Sequence, residues 1–210
     1  MEDVVVIKNA VSAEICKFTA IEYEIFEQGY KALYPGSDGS DMCQNSFARY
    51  APLPFETLSL YLLPLIEKQT GLNLYPTYSY ARIYYTGSEL EKHKDRESSE
   101  ITVSICIEKD NVDWPLFIKT DNGTQHEVNL DQGDLVIYSG RKHSHWREPF
   151  QGTKQIQAFL QYVDANGSSS WLKWDTRPAL GLPFEFTDQR IQNEIKRIAS
   201  VRDIPKNTGL

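Results

Sequence analysis

The residues best suited to chemistry in this chain are two histidines and an aspartate, His93, Asp95 and His145. Two imidazoles and one carboxylate form a ligand set that binds Fe(II) on one face and leaves coordination positions open. His93 and Asp95 are two residues apart, so in an extended segment their side chains point the same way. His145 follows His93 by 52 residues, and a folded-back sheet could bring it to the same place. The sequence therefore predicts a metal centre built from these three residues.

His143 competes with His145 for the third ligand position, because residues two apart on a strand share a face. The charged segment 91–97 around the first two ligands would also suit a solvated loop if it stood alone. The combination with a spaced histidine, the strand-like surroundings and a basic residue nine positions after His145, Lys154, favours metal binding instead.

Longer motifs around these residues resemble a known enzyme family. They are Tyr84-x-x-Gly87-x-x-Leu90-x-x-His93-x-Asp95, Gly133-Asp134, His145-Trp146-Arg147 and Gly152-Thr153-Lys154. Over residues 80 to 163 these motifs resemble the Fe(II)- and 2-oxoglutarate-dependent dioxygenases, and within them the branch similar to prolyl 4-hydroxylases. The resemblance favours His145 as the third ligand, because Trp146 and Arg147 follow it, and leaves His143 behind the ligands or facing the substrate.

The resemblance also implies where the co-substrate 2-oxoglutarate binds. Its keto-acid end chelates the metal, and its distal carboxylate needs a buried cation, because an unpaired charge inside a barrel is costly. Lys154 is expected to supply that cation, with Arg147 as the competing candidate. Tyr84 and Arg82 alternate along one strand, where they could donate to a 2-oxoglutarate carboxylate or pack in the core.

Other residues near the motifs are expected around the substrate or behind the ligands. They are Arg96, His143, Arg147 and Trp146. Arg96 directly follows the carboxylate ligand, and we expect it to clamp that ligand or to face the substrate. Trp146 is expected to pack rather than to contact substrate.

The resemblance implies hydroxylation of an unactivated C–H bond, with Fe(II), 2-oxoglutarate and ascorbate as a reductant, and with release of succinate and CO2. The carboxylate of Asp95 argues for hydroxylation or a further oxidation, because related halogenases carry a small residue at that position. The prolyl-hydroxylase likeness is the support for a prolyl or other amino-acid side chain in a protein or peptide as substrate. The alternatives are a small-metabolite hydroxylase, a cupin-like enzyme without 2-oxoglutarate, and a non-catalytic jelly-roll binding module.

The length, net charge and cysteine content of the chain exclude some classes of function. At 210 residues the chain suits one domain, and its net charge of -7 argues against broad contact with nucleic acid. Three scattered cysteines form no disulfide framework and favour a reducing compartment. No apolar run approaches the roughly 20 residues of a membrane helix, and the acidic start lacks the features of a signal peptide. We expect a cytoplasmic protein, and the sequence predicts no oligomeric state.

The predicted architecture is mainly β with flanking helices. A double-stranded β-helix, or jelly roll, is expected at about 72–165, from short alternating strands separated by turn residues. A helical part at 1–71 should back this core, and a C-terminal extension at 166–210 should carry a helix at 187–200. The chain is read as the single domain 1–210.

The N-terminal part carries clear helix boundaries. Ser12 is a predicted N-cap, and a second helix is predicted to begin at Pro54 and to end at Gly71. Pro64 should kink or break that second helix. Residues 34–40 are rich in turn residues and residues 41–53 have no clear period, so this segment is expected to be a loop, either a simple connector or a cover over the site.

Overall fold

The computed structural model describes residues 3–36 and 43–182. The helices in this part of the chain are α1 (Ala13–Leu33), α2 (Leu53–Tyr61) and α3 (Leu63–Thr70). The strands in chain order are β1 (Val4–Ile7), β2 (Ser46–Tyr50), β3 (Leu74–Tyr85), β4 (Leu90–His93), β5 (Ile101–Lys109), β6 (Leu116–Lys119), β7 (Gln125–Val128), β8 (Leu135–Tyr138), β9 (Ser144–Arg147) and β10 (Lys154–Asp164). A short 3-10 segment, Ser170–Thr176, follows the last strand. The helix predicted at 187–200 lies outside the described residues.

The strands form two antiparallel sheets. One has six strands in the order β1-β8-β5-β10-β3-β2, and the other has four in the order β4-β9-β6-β7. From β3 onward the chain passes back and forth between the sheets, so that β4 and β9, which are far apart in sequence, become neighbours. This connectivity is that of a double-stranded β-helix, and the predicted fold class is confirmed.

The helices cover one face of the six-stranded sheet. α1 packs on β5, and α2 packs on β3 and β10. The apolar residues of these elements form one buried cluster, in which Tyr23 of α1 donates a hydrogen bond to the Ala81 carbonyl of β3 (2.7 Å). Because this face of the sheet is closed by helices, the opposite face is the one that can line a site between the two sheets.

Helix boundaries follow the predicted caps. The Ser12 hydroxyl accepts a hydrogen bond from the Ile15 amide at the start of α1, and Gly71 ends α3 in the left-handed region at φ 71°. The second predicted helix is broken into α2 and α3, and Pro64 occupies the first turn of α3, where its missing N–H costs nothing. No helix among the described residues has the length and apolar character needed to span a membrane.

The prediction of a loop throughout 34–53 is wrong for part of that segment. Residues 46–50 form β2, an edge strand that pairs with β3 from Ser46↔Tyr84 to Tyr50↔Tyr80. The sequence of β2 shows little alternation because its first three residues are all buried. Residues 37–42, which belong to the same predicted loop, lie outside the described residues.

Asp134 ties the N-terminal strand to the jelly roll. Its carboxylate accepts hydrogen bonds from Lys8 Nζ (2.6 Å) and from the amides of Asn9 (2.9 Å) and Asp131 (2.8 Å). Burial raises the pKa of this carboxyl, but the three donors outweigh burial and lower the pKa below its ordinary value of 3.8. The stabilisation is therefore fully present above the unfolded pKa and is lost as pH falls through the folded pKa.

We expect Asp134→Asn to lower the free energy of unfolding at neutral pH by about 1–3 kcal/mol, because it removes a charged, buried acceptor. Urea unfolding at pH 7 and near pH 3 measures this difference, which should shrink at the lower pH. Asp131→Asn is the matched control, because that carboxylate is exposed and lies 3.5 Å from the same lysine, Lys8. An equal loss in both variants would contradict this role of Asp134.

Candidate metal centre

The ligand positions are set by strand pairing in the smaller sheet. His93 is the last residue of β4 and pairs directly with His145 of β9. Asp95 lies two residues beyond His93, and its amide donates to the Gly140 carbonyl (2.9 Å). This bond fixes the start of the loop after β4 against the turn that precedes β9, and so turns Asp95 toward the two histidines.

The three side chains converge as the sequence predicted. One donor atom from each of His93, Asp95 and His145 lies within 4.8 Å of the other two. The Nε2 atoms of both histidines lie 3.6 Å from Asp95 Oδ1. The two imidazole rings are 4.3 Å apart between centroids. Such spacing suits a single ion placed between one carboxylate oxygen and two imidazole nitrogens.

Backbone carbonyls set the orientation of both imidazoles. His93 Nδ1 donates to the Glu91 carbonyl (2.7 Å), and His145 Nδ1 donates to the His143 carbonyl (3.0 Å). A carbonyl can only accept, so in each ring the proton sits on Nδ1 and the lone pair of Nε2 faces the ligand cluster. Metal-binding histidines in proteins are held in this way.

The charge of Asp95 is stabilised inside the site. Burial raises the pKa of Asp95, but the adjacent imidazoles of His145 and His93 outweigh it and hold the pKa well below its usual range. Thr102 Oγ1 lies 3.0 Å from the second carboxylate oxygen and 2.7 Å from Gln161 Oε1. For His93, burial lowers the pKa, but the contacts with Asp95 and the Glu91 carbonyl raise it overall.

His143 takes a different place from His145. Its imidazole is buried, its Nδ1 has no hydrogen-bond partner, and its Nε2 lies 3.9 Å from a carboxylate oxygen of Asp3. Burial lowers the pKa of this imidazole. The structure therefore brings His145 to the ligand cluster, and His143 contributes to that cluster through its carbonyl.

A cavity of about 420 Å³ opens from the ligand cluster between the sheets. Besides the three candidate ligands, it is lined by Tyr50, Tyr78, Tyr80, Arg82, Tyr84, Leu90, Lys94, Arg96, Tyr138, Phe159 and Gln161. Arg82 and Tyr84 thus face the cavity together, as their alternation on β3 predicted. The wall is mainly aromatic, and such a wall excludes water while it holds an apolar part of a ligand.

The rim of the cavity is built by residues that the sequence analysis missed. Asp175 accepts two hydrogen bonds from Arg96 (2.9 and 2.7 Å) and one from the Tyr50 hydroxyl (2.6 Å). The Arg96 guanidinium lies 4.1 Å from the centre of the Tyr78 ring. Arg96 therefore faces the cavity and does not clamp Asp95.

Asp175 reaches this place through an unusual turn. Trp174, Asp175 and Thr176 have φ between 55° and 63°, a region that non-glycine residues seldom occupy. Consecutive residues of this kind persist only where the surroundings hold them, and here the contacts of Asp175 do so. No pattern in the sequence signals this turn.

The structure corrects the prediction for Lys154. Its ammonium group forms ion pairs with Glu24 of α1 and with Glu108 (2.7 Å), on the helix-covered face of the sheet. In the β10–β3 ladder Lys154 is opposite Tyr85, whereas Gln155 is opposite the cavity-lining Tyr84. Since side chains alternate along a strand, Gln155 and not Lys154 points into the barrel.

The side chains of the two residues after His145 also point to opposite faces of their strand. Trp146 points out of the barrel, where its ring stacks on Phe117 at 5.4 Å, so the packing role is the observed one. Arg147 lies on the same side of β9 as His145 and is 1% exposed. Arg147, the competing candidate, is therefore a buried cation inside the barrel.

Comparison with known proteins supports the fold. No protein-family model matches the sequence, and a search of curated protein sequences gives no match. Solved structures do match: a prolyl-4-hydroxylase from Pseudomonas putida is 13% identical, covers 77% of this chain and 92% of its own, and has a TM-score of 0.61. HygX from Streptomyces hygroscopicus, solved with nickel and 2-oxoglutarate bound, is 10% identical, with coverage of 80% and 85% and a TM-score of 0.60.

A third match is a prolyl hydroxylase from Trichoplax adhaerens in complex with a peptide fragment of hypoxia inducible factor. It is 12% identical, with coverage of 78% and 84% and a TM-score of 0.59. At such identities the likeness concerns the fold, and the fold here carries a histidine, aspartate and histidine cluster at its open end. The chain therefore has the fold of the prolyl hydroxylases and other 2-oxoglutarate- and Fe(II)-dependent oxygenases.

Proposed function

We propose that this protein is an Fe(II)- and 2-oxoglutarate-dependent dioxygenase that hydroxylates an unactivated C–H bond. The observation that carries the proposal is the convergence of His93, Asp95 and His145 at the mouth of an aromatic cavity inside a jelly roll. In the overall reaction, substrate, 2-oxoglutarate and dioxygen give the hydroxylated substrate, succinate and CO2. The ligand type and the one-sided arrangement both support this chemistry.

Each ligand has a defined part in that chemistry. His93, Asp95 and His145 would hold ferrous iron, which supplies dioxygen activation and the oxidation of the substrate. Asp95 stays ionised over the ordinary pH range and offsets part of the metal charge. The carbonyls behind the two imidazoles keep both Nε2 atoms aimed at one point, so that the ligands need not reorganise when the ion binds.

The remaining cavity wall positions the substrate. Tyr50, Tyr78, Tyr80 and Phe159 form an apolar wall with hydroxyl groups at its edge, next to the candidate ligands. A wall of this kind can hold a ring or an alkyl chain near the metal and keep water away from the reacting carbon. Arg96 is fixed by Asp175 at the rim, and there it can contact a polar part of the substrate.

We propose a prolyl or other amino-acid side chain in a protein or peptide as the substrate, with a small metabolite as the alternative. Structural neighbours support both classes, since one is a prolyl hydroxylase with a bound peptide and HygX has been solved with hygromycin B. Ascorbate is proposed as the reductant that keeps the iron ferrous. A cytoplasmic location stays a prediction, for which the three free, buried cysteines are the support.

The test is an anaerobic titration of the metal-free protein with Fe(II) and 2-oxoglutarate, followed by ultraviolet-visible absorption. We expect a weak visible charge-transfer band that needs both additions, because the keto acid must chelate an iron held by the three ligands. Succinate released after admission of oxygen provides a second readout, and a panel of proline-containing peptides and free amino acids then searches for the substrate.

The matched control is His93→Ala against His126→Ala. His126 lies in β7, two strands from His145, and belongs neither to the ligand cluster nor to the cavity lining, so its loss should leave the band unchanged. A wild-type protein that binds iron but shows no band and no succinate would overturn the proposal, and a non-catalytic metal-binding module would then fit the structure better.

A further inference from the structure

Arg147 is a fully buried cation. Its Nη1 donates to the Trp114 carbonyl, its guanidinium lies 4.6 Å from the centre of the Trp114 ring, and its Nε has no hydrogen-bond partner. Within residues 3–36 and 43–182 no aspartate or glutamate forms an ion pair with it. Burial lowers the pKa of this guanidinium. A buried charge that lacks its counter-ion is costly, so its presence points to an anion that binds there.

Two other buried polar groups have no hydrogen-bond partner among the described residues, and each contacts a side chain that also contacts Arg147. They are the Tyr84 hydroxyl and Gln155 Oε1. Tyr84 and Gln155 are opposite each other in the β3–β10 ladder. The Tyr84 ring contacts the same Trp114 ring, at 4.8 Å between centroids. Arg147, Tyr84 and Gln155 are called the anion pocket below.

Gln157 joins the members of the anion pocket. With its amide oriented to satisfy its neighbours, its oxygen accepts from Arg147 Nη2 (3.3 Å) and from Gln155 Nε2 (2.6 Å), while its nitrogen donates to the Ile105 carbonyl (2.6 Å). This network fixes the guanidinium in place but leaves its Nε and the Tyr84 hydroxyl available. Two fixed donors of this kind suit the oxygens of one carboxylate.

The anion pocket adjoins the cavity through Tyr84, the member of the pocket that lines the cavity. Arg147 follows the ligand His145 by two residues on the same face of β9, a spacing of roughly 7 Å along an extended strand. Tyr138 also lines the cavity, and its ring contacts the His145 ring at 5.1 Å between centroids. A short dicarboxylate whose first end chelates the metal can therefore reach Arg147 with its second end.

Two other cations that could compete for the anion are already engaged. Lys154 is held by Glu24 and Glu108 on the far face of the sheet. Arg82 lines the cavity, where it donates to Ser46 Oγ (3.0 Å) and lies 5.6 Å from the ring centres of both flanking tyrosines. Among these three cations, all in the described part of the chain, Arg147 is the one with a buried donor, its Nε, that has no hydrogen-bond partner.

We propose that Arg147, with Tyr84 and Gln155, binds the distal carboxylate of 2-oxoglutarate, in the place that the sequence resemblance gives to Lys154. The cation that selects the co-substrate thus comes from β9, the strand of the ligand His145, instead of from β10. This inference rests on the proposed function, because it needs a metal that holds the keto-acid end. It also predicts that the site discriminates strongly against keto acids that lack the second carboxylate.

The test compares two keto acids on the anaerobic Fe(II) protein, with dissociation constants read from the charge-transfer band. 2-Oxopentanoate has the same chelating end as 2-oxoglutarate but carries a methyl group in place of the distal carboxylate. Arg147→Gln is expected to weaken 2-oxoglutarate binding by about 10- to 100-fold, as for the loss of hydrogen bonds to a charged group. Binding of 2-oxopentanoate should not change. Lys154→Gln, the matched control, should leave both constants unchanged.

A second readout does not depend on the band. Arg147→Met replaces the buried charge with an apolar side chain, so the ligand-free variant should melt at or above the wild-type temperature. 2-Oxoglutarate with Mn(II) should raise the melting temperature of the wild type and not that of the variant. Tyr84→Phe, which keeps the packing, should weaken 2-oxoglutarate binding severalfold and spare 2-oxopentanoate.

Three results would overturn the inference: an unchanged 2-oxoglutarate constant in Arg147→Gln and Tyr84→Phe, an equal loss for both keto acids, or a selective loss in Lys154→Gln. Arg82→Gln tests the third of the three cations. If this variant selectively lost 2-oxoglutarate binding while Arg147→Gln did not, the anion site would have to be assigned to β3. A wild-type protein that gives no band with either keto acid rejects the proposed function itself, whereas normal bands without the Arg147 effect reject this inference alone.

Discussion

His145→Ala is expected to abolish tight metal binding and to lower 2-oxoglutarate turnover by more than about 100-fold. Removal of a residue that only supports a metal ligand already lowers metal affinity or activity by about 10- to 100-fold, and His145 is itself a candidate ligand. The variant takes away one of two imidazoles whose Nε2 atoms both lie 3.6 Å from Asp95 Oδ1. It also leaves that carboxylate with one imidazole beside it, that of His93. Iron content after anaerobic reconstitution and gel filtration, together with succinate release, measures the loss.

His143→Ala is the matched control, because it removes the same side chain two residues earlier in the chain. The carbonyl that orients His145 belongs to the backbone and remains in this variant. Iron content should therefore stay at the wild-type level. A variant His143→Ala that loses iron while His145→Ala keeps it would show that the ligand assignment between these two residues is reversed.

The ligand cluster could be predicted from the sequence because the spacing of His93 and Asp95 is local and because the family resemblance favours His145 over His143. Histidine is scarce in the chain, and the two-residue spacing of His93 and Asp95 alone places both on one face of an extended segment. The structure then had to supply only the pairing of β4 with β9, which sets His93 opposite His145. The alternating strands of the jelly roll were visible for the same reason, since apolar periodicity is a property of each strand by itself.

Lys154 could not be placed from the sequence, because strand register decides its direction. A shift by one residue moves every side chain of a strand to the other face. The family spacing of nine residues after His145 predicts that residue 154 faces the site. In the structure, the pairing of β10 with β3 directs the side chain of Gln155 into the barrel instead. The acidic residues that hold Lys154, Glu24 and Glu108, come from α1 and β5, and no local pattern connects them to it.

The rim of the cavity was missed for a related reason. Tyr50 lies on an edge strand that is too buried to alternate, and Asp175 lies in a turn whose backbone conformation is forced by its contacts. Both contribute through contacts with residues far away in the chain, such as Arg96. Residues of this kind can be recognised only once the arrangement of the strands is known. A buried arginine that forms no ion pair within the described residues can be recognised only once the burial of its side chain is known.

Gly140→Ala is expected to weaken metal binding, although Gly140 is not itself a ligand. A Cβ at this position would collide with Asp95 Oδ2 and Thr102 Oγ1 and would lie 3.0 Å from Asp95 Cγ. The aspartate cannot retreat freely, because its own amide is bonded to the Gly140 carbonyl (2.9 Å) and its second oxygen contacts Thr102. We expect iron affinity to fall by about 10- to 100-fold, as when support behind a ligand is lost, and stability to fall by about 1–3 kcal/mol from overpacking.

Gly29→Ala is the control for a glycine-to-alanine change that meets no neighbour. Nothing lies within 4 Å of a Cβ at Gly29, which is in the middle of α1, so that variant should gain up to about 1 kcal/mol and keep full iron affinity. The dissociation constant for Fe(II), measured by competition with a chelator, and the urea midpoint separate the two effects. Gly140 would then join the three ligands as a residue that the site requires, since it must be small for Asp95 to reach the metal. Wild-type affinity in Gly140→Ala would instead mean that Asp95 can bind the ion from a displaced position.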